Sequence, residues 1–536
     1  MPETILAPSI LPEGAVTFEL VDDQTFSASP NYGKLWTLRN SYADPRWRMK
    51  IRLKGLRSAE RANILAALAR ARGRFATVRA GPYQALRGSM SAPEIFTNSD
   101  FSSGTTGWSA QYADLFAPGD KTLGVTVYKS GGGAPAIYQA VTPTQYRPHV
   151  VRGFIDLPAV DAQNNVGAYT AGTYADSTSN YAAFGNGLIS QLVTPLSAAS
   201  ASWYPAVWDG NGTSIQQWTR FYLRYASCAL CLQVDNATNL LLKSEQLNDT
   251  GSWTRAQLNT VTADQAQAPL YNVTNSGDKI IEDASVTTAH YLYQTVTVSS
   301  AAADYSYSVF LKAGTRTFAY IQIIENTGST SVYTYVNLST GALNNNATGA
   351  NWSNLRMFTE DYGYGWYRFT IIAKKTNAAT SLTPLIGLAS AVNTGTYTGD
   401  NASYIYAWGA SLAQSSVPVR YAATTTAALD GTTTQPGPTL YVKGGPASIV
   451  PALKAGDFFE ANGELKQLTS DLDTTSEGIG ALQFRPLFGT APANNAAVIV
   501  NKPMGRFMLS DNVQIATFAG GAQAETEITL DEVYYP

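Results

Sequence analysis

The middle of the chain reads Asn239-Leu-Leu-Leu-Lys-Ser-Glu-Gln-Leu-Asn-Asp-Thr-Gly-Ser-Trp253-Thr and then Tyr291-Leu-Tyr-Gln-Thr-Val-Thr297. An earlier segment repeats both parts as Glu94-Ile-Phe-Thr-Asn-Ser-Asp-Phe-Ser-Ser-Gly-Thr-Thr-Gly-Trp108-Ser and Ala136-Ile-Tyr-Gln-Ala-Val-Thr142. Trp108 corresponds to Trp253 and Tyr138 to Tyr293, with offsets of 145 and 155 residues. This period is far too long for a solenoid repeat, so each copy is a whole domain.

The composition indicates a modular protein built mostly of sheet. The chain has 536 residues, and at roughly 150 residues per domain this length predicts three or four domains. Only 14% of the residues are charged, whereas Gly, Tyr and Trp number 44, 31 and 10. Such a mixture is typical of turn-dense extracellular or virion proteins. We predict a mainly β fold: a discontinuous β-rich domain with one helix, carrying two inserted antiparallel jelly-roll β-sandwiches.

The N-terminal segment is predicted to contain strands followed by the helix. From Arg46 to Lys54, cationic and apolar residues alternate strictly, which is the pattern of a half-buried strand. Ser58 can cap a helix that runs to Arg72 and ends at Gly73, because Ser favours the first position before a helix and Gly the position after it.

Shifts in composition predict the domain boundaries. After Gly81-Pro82-Tyr83 the chain becomes rich in Ser, Gly, Thr and aromatic residues, which marks a first, diverged sandwich at about residues 92–235. The second sandwich follows at about residues 239–423. Residues 1–88 and 437–536 then form one split domain, since a loop tolerates long insertions at little extra entropic cost.

The charges of the two chain ends are complementary. Residues 1–90 hold fourteen Lys or Arg against seven Asp or Glu, whereas residues 437–536 hold six against eleven. Opposite net charges steer association, and they favour the interpretation that both ends belong to one structural unit.

Neither a secretion signal nor a membrane span is apparent. Prolines interrupt the first residues, and no run approaches the 18 apolar residues of a spanning helix. Cys228 and Cys231 lie in a predicted strand, where residues three apart point to opposite faces and cannot form a disulfide. With two histidines in the chain no metal-ligand set is evident, so we expect buried, unbridged thiols.

The second sandwich resembles a known class of module. Its motifs are Asn239-Leu-Leu-Leu-Lys-Ser-Glu-Gln with Trp253, Tyr293-Gln-Thr-Val-Thr, Phe310-Leu-Lys-Ala-Gly, Gly365-Trp-Tyr-Arg and Ala407-Trp-Gly-Ala-Ser-Leu. In this order they resemble the carbohydrate-binding-type jelly-roll modules of tailed-phage virion proteins. The first copy lacks a clear Gly-Trp-Tyr-Arg strand, which puts a retained ligand site there in doubt.

The outer segments carry a second resemblance. Arg46-Trp-Arg-Met, Leu453-Lys-Ala-Gly-Asp-Phe-Phe, Arg485-Pro-Leu and Pro503-Met-Gly-Arg-Phe-Met-Leu are similar to upper-baseplate or distal-tail-like proteins of long-tailed, siphovirus-type bacteriophages. This resemblance implies a structural virion protein of the tail tip, made in the host cytoplasm without a signal peptide. It would form a trimeric or hexameric ring that contacts the hub, tail tube and fibres, while its sandwiches bind host surface polysaccharide or support fibres.

Aromatic residues in turn-flanked segments are the candidates for sugar binding, because a ring can lie flat against a pyranose while nearby amides bind its hydroxyls. The candidates are Trp203, Tyr204, Trp208, Trp352, Tyr362 and Tyr364. Four other tryptophans occupy strand-like positions and are expected in the core: Trp108, Trp253, Trp366 and Trp408. A purely architectural role for the sandwiches, as spacers or interface surfaces, stays open.

The predicted strand after Pro45 presents a row of five cations: Arg46, Arg48, Lys50, Arg52 and Lys54. Side chains on one strand face repeat about every 7 Å, so the row repels itself unless negative charge lies opposite. We favour a partner subunit or the acidic C-terminal segment over a solvated face. Nucleic acid is disfavoured, because its binding sites usually interleave aromatic residues with the cations.

No pattern indicates catalysis. His149 and His290 stand outside any hydrolase motif, and no phosphate-binding loop is present. We therefore predict a protein that is not an enzyme and needs no cofactor. The alternative is a polysaccharide-degrading enzyme with accessory binding modules, since two carboxylates can meet in space without a sequence signature. A structural Ca²⁺ is compatible with the oxygen-rich loops at Asn98–Asp100 and Asn248–Asp249, but no spacing requires it.

Overall fold

The structure is a computed structural model, and it describes most of the chain. The described residues are 3–6, 16–21, 46–52, 77–82, 84, 86–90, 94–111, 113–118, 123–127, 136–156, 165–170, 187–195, 198–209, 220–236, 238–269, 275–430, 438–509 and 527–533. They contain many strands and no helix, which confirms the mainly β prediction. The helix predicted from Ser58 to Arg72 lies outside the described residues.

The N-terminal segment contributes four strands. They are β1 (Glu3–Leu6), β2 (Val16–Val21), β3 (Arg46–Arg52) and β4 (Thr77–Ala80). In β3 the predicted alternation is observed, because Trp47, Met49 and Ile51 are buried while the intervening cations reach solvent to varying degrees.

The first sandwich has two antiparallel sheets. Its strands are β5 (Ser109–Gln111), β6 (Ala113–Phe116), β7 (Leu123–Val127), β8 (Ala136–Val141), β9 (His149–Asp156), β10 (Asn165–Thr170), β11 (Gly187–Val193), β12 (Ala201–Asp209) and β13 (Arg220–Leu230). The sheet orders are β10-β12-β8-β5 and β11-β9-β13-β7-β6. Trp108, Trp203 and Cys228 lie in the core between them, and neither Cys228 nor Cys231 forms a disulfide.

The second sandwich follows after β14 (Leu232–Val234). Its strands are β15 (Thr238–Asn239), β16 (Thr254–Ala256), β17 (Leu258–Gln267), β18 (Asn275–Glu282), β19 (Thr288–Ala289), β20 (Tyr291–Tyr293), β21 (Val296–Thr297), β22 (Ala303–Ala313), β23 (Phe318–Glu325), β24 (Ser331–Asn337), β25 (Leu343–Thr348), β26 (Trp352–Gly363), β27 (Trp366–Lys375), β28 (Ser381–Ala389), β29 (Thr396–Tyr397), β30 (Tyr404–Gln414) and β31 (Leu429–Asp430). We call β16-β20-β28-β23-β24-β25, with β21 beside β28, the distal sheet, and β17-β18-β30-β22-β27-β26 the proximal sheet.

Each sandwich contains a copy of the same clamp, in which a glutamine side chain forms two hydrogen bonds to the backbone of one residue. In the first, the Gln139 amide accepts from the backbone N–H of Thr97 at 3.0 Å and donates to its carbonyl at 2.7 Å. In the second, Gln294 makes the same pair of bonds to Leu242, at 2.7 and 3.0 Å. The repeat seen in the sequence is therefore a repeat of atomic contacts.

A closed barrel connects the sandwiches to the chain ends. It consists of β14, β32 (Thr439–Lys443), β33 (Phe458–Ala461), β34 (Glu464–Leu468), β35 (Gly480–Arg485) and β36 (Ala497–Ile499), in the order β14-β32-β35-β34-β33-β36. Residues 232–234, which the sequence places in the first sandwich, thus contribute a barrel strand. Closure leaves the barrel no edge of its own.

The two chain ends meet in one further sheet. Its order is β1-β4-β37-β38-β3-β2, completed by β37 (Gly505–Leu509) and β38 (Glu527–Glu532). This sheet packs on the barrel, because the Trp47 ring lies 5.2 Å from that of Phe458 and its indole N–H donates to the Leu465 carbonyl at 3.0 Å. N- and C-terminal residues therefore share a core, while the exact domain boundaries stay a prediction.

Candidate functional site

The barrel covers part of the proximal sheet. Arg368 of β27 forms a buried ion pair with Glu477 of the barrel, with a nitrogen–oxygen distance of 2.5 Å. The Thr370 hydroxyl donates to the same carboxylate. These contacts occupy part of the outward side of the proximal sheet, whereas the distal sheet lies on the opposite side of the sandwich.

The outward side of the distal sheet carries a group of tyrosines, which we call the tyrosine face: Tyr291, Tyr293, Tyr320, Tyr333 and Tyr335. They share one side because residues of a strand alternate between its faces. The register also aligns them across strands, since Tyr291 and Tyr320 both pair with Gly387, and Tyr320 pairs with Tyr335. The inward residues between them, such as Leu292 and Ile321, belong to the core.

Gly387 explains how the rings fit together. A Cβ atom at this position would overlap the ring of Tyr320, so the ring lies directly over the glycine backbone. Tyr320 is itself buried, and its ring centroid lies 5.5 Å from that of Tyr335. Tyr333 packs edge-on against Tyr335 at 5.9 Å. The buried ring is thus a floor that supports half-buried rings around it.

The tyrosine face is polar but uncharged. Gln322, half-buried on the same side of β23, donates to the Ser331 hydroxyl at 2.7 Å, and Asn344 pairs with Tyr335. Burial raises the pKa of Tyr320 and of Tyr335 above the ordinary tyrosine value, so both hydroxyls are protonated at neutral pH. Among the described outward-facing residues of these strands none is Asp, Glu, Lys or Arg.

Two of the predicted sugar-binding residues are core residues, which corrects the prediction. Trp203 is completely buried in the first sandwich, edge-on to His149 at 5.4 Å. Trp352 is 4% exposed, and its indole N–H donates to the Thr330 carbonyl at 3.1 Å. Neither ring can stack on a sugar from solvent. Trp108, Trp253, Trp366 and Trp408 are buried as predicted.

The other four predicted residues differ in their surroundings. Tyr204 is half-buried against Tyr138, with ring centroids 5.1 Å apart. Trp208 lies in β12, but its side chain is outside the description. Tyr362 is half-buried on the Phe310 ring, whereas Tyr364 is 91% exposed. None of these four belongs to the tyrosine face, so the structure does not bring the predicted set together.

The cation row of β3 has partners within the chain. Arg48 pairs with Asp531 of the acidic C-terminal segment at 2.7 Å, and Lys50 with Glu19 of β2 at 2.9 Å. Arg46 and Arg52 are also engaged in contacts, and Lys54 lies outside the described residues. The acidic segment therefore provides part of the opposing charge, while a role at a subunit interface stays a prediction.

The histidines and oxygen-rich loops have structural surroundings. His149 and His290 are fully buried, and the Asn98 amide donates to two carbonyls of its own loop. In the described part of the chain, no three His, Cys, Asp or Glu side chains converge in a way that could hold a metal ion. No described helix is long and apolar enough to cross a bilayer.

Two of the solved structures that match the chain do so at low similarity. No family model and no curated protein matches the chain. A tandem CBM22-1–CBM22-2 domain from Paenibacillus barcinonensis Xyn10C matches with a TM-score of 0.21 and 11% identity, over 62% of this chain and 100% of that one. The enzymatically active domain of bacteriophage CBA120 tailspike protein 4 matches with the same TM-score and identity, over 34% of this chain and 22% of that one. At this level of similarity, neither match indicates a function for this chain.

Proposed function

We propose that the tyrosine face of the second sandwich binds a neutral polysaccharide. The observation that supports this proposal is the set of half-buried rings around the buried ring of Tyr320: Tyr291, Tyr293, Tyr333 and Tyr335. Tyr320 lies over Gly387, and an amide side chain borders the set at Asn344. Aromatic faces stack on the C–H surfaces of sugars, and amides bind the hydroxyls. A set of rings that crosses several strands suits a polymer better than a single small molecule.

The lack of charge defines the class of polysaccharide. An acidic polymer needs cations to offset the desolvation of its carboxylates or phosphates, and the tyrosine face offers none among its described residues. We therefore expect binding that changes little with salt, since screening acts on charge–charge attraction.

The test uses the full chain on an array of neutral and acidic surface polysaccharides, followed by calorimetric titration of the best neutral oligosaccharide. Replacing both Tyr293 and Tyr333 by Ala removes two half-buried rings, so affinity is expected to fall about tenfold or more. Tyr441→Ala, which removes a 38% exposed ring on the barrel, is the control and leaves affinity unchanged. Equal binding by all variants would refute the proposal.

At the level of the whole protein, we propose a non-enzymatic structural component of a phage tail tip, of the upper-baseplate type, with sandwiches of the jelly-roll type projecting from it. The motif resemblance of the outer segments supports this role, and so does the junction of both chain ends in one sheet on the barrel. The barrel and the sheet of the two chain ends would form the oligomeric ring, while the tyrosine face would point to the host surface. Many copies on one virion would strengthen weak single-site binding.

Two measurements test this second proposal. Mass measurement and electron microscopy of the purified chain are expected to show a closed trimer or hexamer, and a monomer at all concentrations would count against it. Incubation with the bound polysaccharide is expected to release no reducing ends. Turnover would instead support a polysaccharide-degrading enzyme with accessory binding modules.

A further inference from the structure

The outward side of the proximal sheet carries a surface with positive charge, unlike the tyrosine face. It lies beyond the part of this sheet that Glu477 contacts. Lys279 of β18 and Lys312 of β22 both pair with Tyr406 of β30. Residues paired across antiparallel strands project to the same side, so the two lysines flank Tyr406. All three side chains are half-buried. On the same side of the sheet, Tyr421 packs on the buried Trp408, with ring centroids 4.9 Å apart.

The two ammonium groups have no carboxylate partner among the described residues. Lys279 lies over the Tyr404 ring, with its Nζ 3.9 Å from the centroid, and no ion pair involves it or Lys312 within the described chain. Their Cα atoms are two strand spacings apart, which corresponds to about 10 Å. Positive charge therefore concentrates on either side of one tyrosine.

An exposed ring stands beside this charge. Tyr364 is 91% exposed at the tip of the β26–β27 hairpin. It has a φ of 53°, between Gly363 and Gly365 at 76° and 80°, a conformation that disfavours side chains with a Cβ. Gly365 lies against Lys312, since a Cβ there would be 3.7 Å from the Lys312 Cε. The hairpin thus holds the ring in solvent next to a lysine.

We propose that these residues, the basic patch of Lys279, Lys312, Tyr364, Tyr404 and Tyr406, bind an anionic saccharide unit. A carboxylate or phosphate would lie between the two ammonium groups, and the sugar ring would contact a tyrosine. The tyrosine face on the opposite sheet carries no charge, so one sandwich would bind two chemically different glycan surfaces. This second site does not depend on the first.

The test titrates the full chain with three probes: a galacturonate oligosaccharide, a phosphorylated mannooligosaccharide and a neutral maltooligosaccharide. Wild-type binding of at least one anionic probe is expected to weaken as salt rises. The Lys279→Ala/Lys312→Ala variant is expected to lose about tenfold or more in affinity for that probe at low salt. Lys243→Ala removes another lysine of the same sandwich, one whose Nζ bonds to Gln246, and is the matched control with no loss.

Four outcomes would overturn the proposal. They are no binding of either anionic probe, equal affinity of the lysine pair variant and the wild type, an equal loss in Lys243→Ala, or tighter binding of polyglutamate, which would indicate an acidic protein partner. Unchanged thermal unfolding of the variants excludes misfolding. The Tyr293→Ala/Tyr333→Ala variant is expected to keep anionic binding, so failure of the neutral site and failure of the basic patch are distinguishable.

Discussion

His149 shows how a single buried side chain couples the first sandwich to pH. Its Nδ1 lies 2.8 Å from the Arg147 carbonyl and carries the proton, while Nε2 accepts from the Thr144 N–H at 3.3 Å. Burial lowers the pKa of His149 to about 4, from 6.5. The neutral ring is therefore the form that fits the fold.

The lowered pKa of His149 determines how the stability of the fold changes with pH. Between pH 6.5 and 4 the unfolded chain binds a proton at His149 that the folded chain does not, so stability is complete above pH 6.5 and decreases as pH falls towards 4. The loss reaches about 3 kcal/mol for a shift of this size. Denaturant unfolding at several pH values should show a smaller loss in His149→Asn than in the wild type. Parallel pH profiles of the two proteins would contradict the assignment.

Exposure at the residue scale was only partly predictable from sequence. Trp203 and Trp352 stand in turn-rich segments, yet both lie in strands and face the core. Tyr364, also in a turn-flanked segment, is 91% exposed. The flanking glycines indicate that Tyr364 stands at the tip of a hairpin. The sequence around Trp203 does not indicate which side of its strand packs against the other sheet.

At the scale of elements, the tyrosine face depends on one glycine in β28. The Tyr320 ring occupies the space above Gly387, and any Cβ there would overlap it. Gly395 of the following loop also lies against this ring, since a Cβ there would be 3.1 Å from it.

Gly387→Ala should therefore displace Tyr320 and disturb the rings that rest on it. Overpacking of this kind costs about 1–3 kcal/mol, and neutral glycan binding should fall with it. Gly251→Ala is the control, because its Cβ would meet only the Asp249 carboxylate at 3.5 Å. Thermal unfolding and glycan titration of both variants test this prediction. A Gly387→Ala protein with the stability and glycan affinity of the wild type would show that the Tyr320 ring does not support the other rings.

The sequence shows the spacing of these tyrosines, but it does not show which side of the sheet they occupy or which strands lie next to theirs. Tyr291 and Tyr293, like Tyr333 and Tyr335, are spaced by two, which places each pair on one strand face. The presence of flanking turn residues does not identify them, because all four stand inside strands. The strand β3 was predictable from alternation, but its neighbours β2 and β38 were not, because pairing partners far along the chain leave no local pattern.

At the scale of the whole molecule, buried ion pairs fix each sandwich to the barrel. Arg152 of the first sandwich pairs with Glu460 at 2.8 Å, and Arg368 of the second with Glu477 at 2.5 Å. Arg152 also donates to the carbonyls of Asn501 and Lys502. A buried charge is tolerated only where an opposite charge and further hydrogen-bond partners surround it, so these joints favour one fixed arrangement of the domains.

Removing one partner of the second joint should be more harmful than removing both. Arg368→Met leaves the Glu477 carboxylate buried without its cation, which costs about 3–5 kcal/mol. The double variant Arg368→Met/Glu477→Leu removes the uncompensated charge and should recover much of that loss. Calorimetric unfolding tests this, and equal destabilisation by the single and double variants would show that charge compensation is not what the joint provides.

The most direct measurement is a structure of the full chain with a bound neutral oligosaccharide identified on the array. Sugar density in contact with Tyr293 and Tyr333, across the rings of the tyrosine face, is the result expected. Density on another surface, with the tyrosine face empty at a saturating ligand concentration, would contradict the proposal that the distal sheet of the second sandwich is the glycan-binding surface.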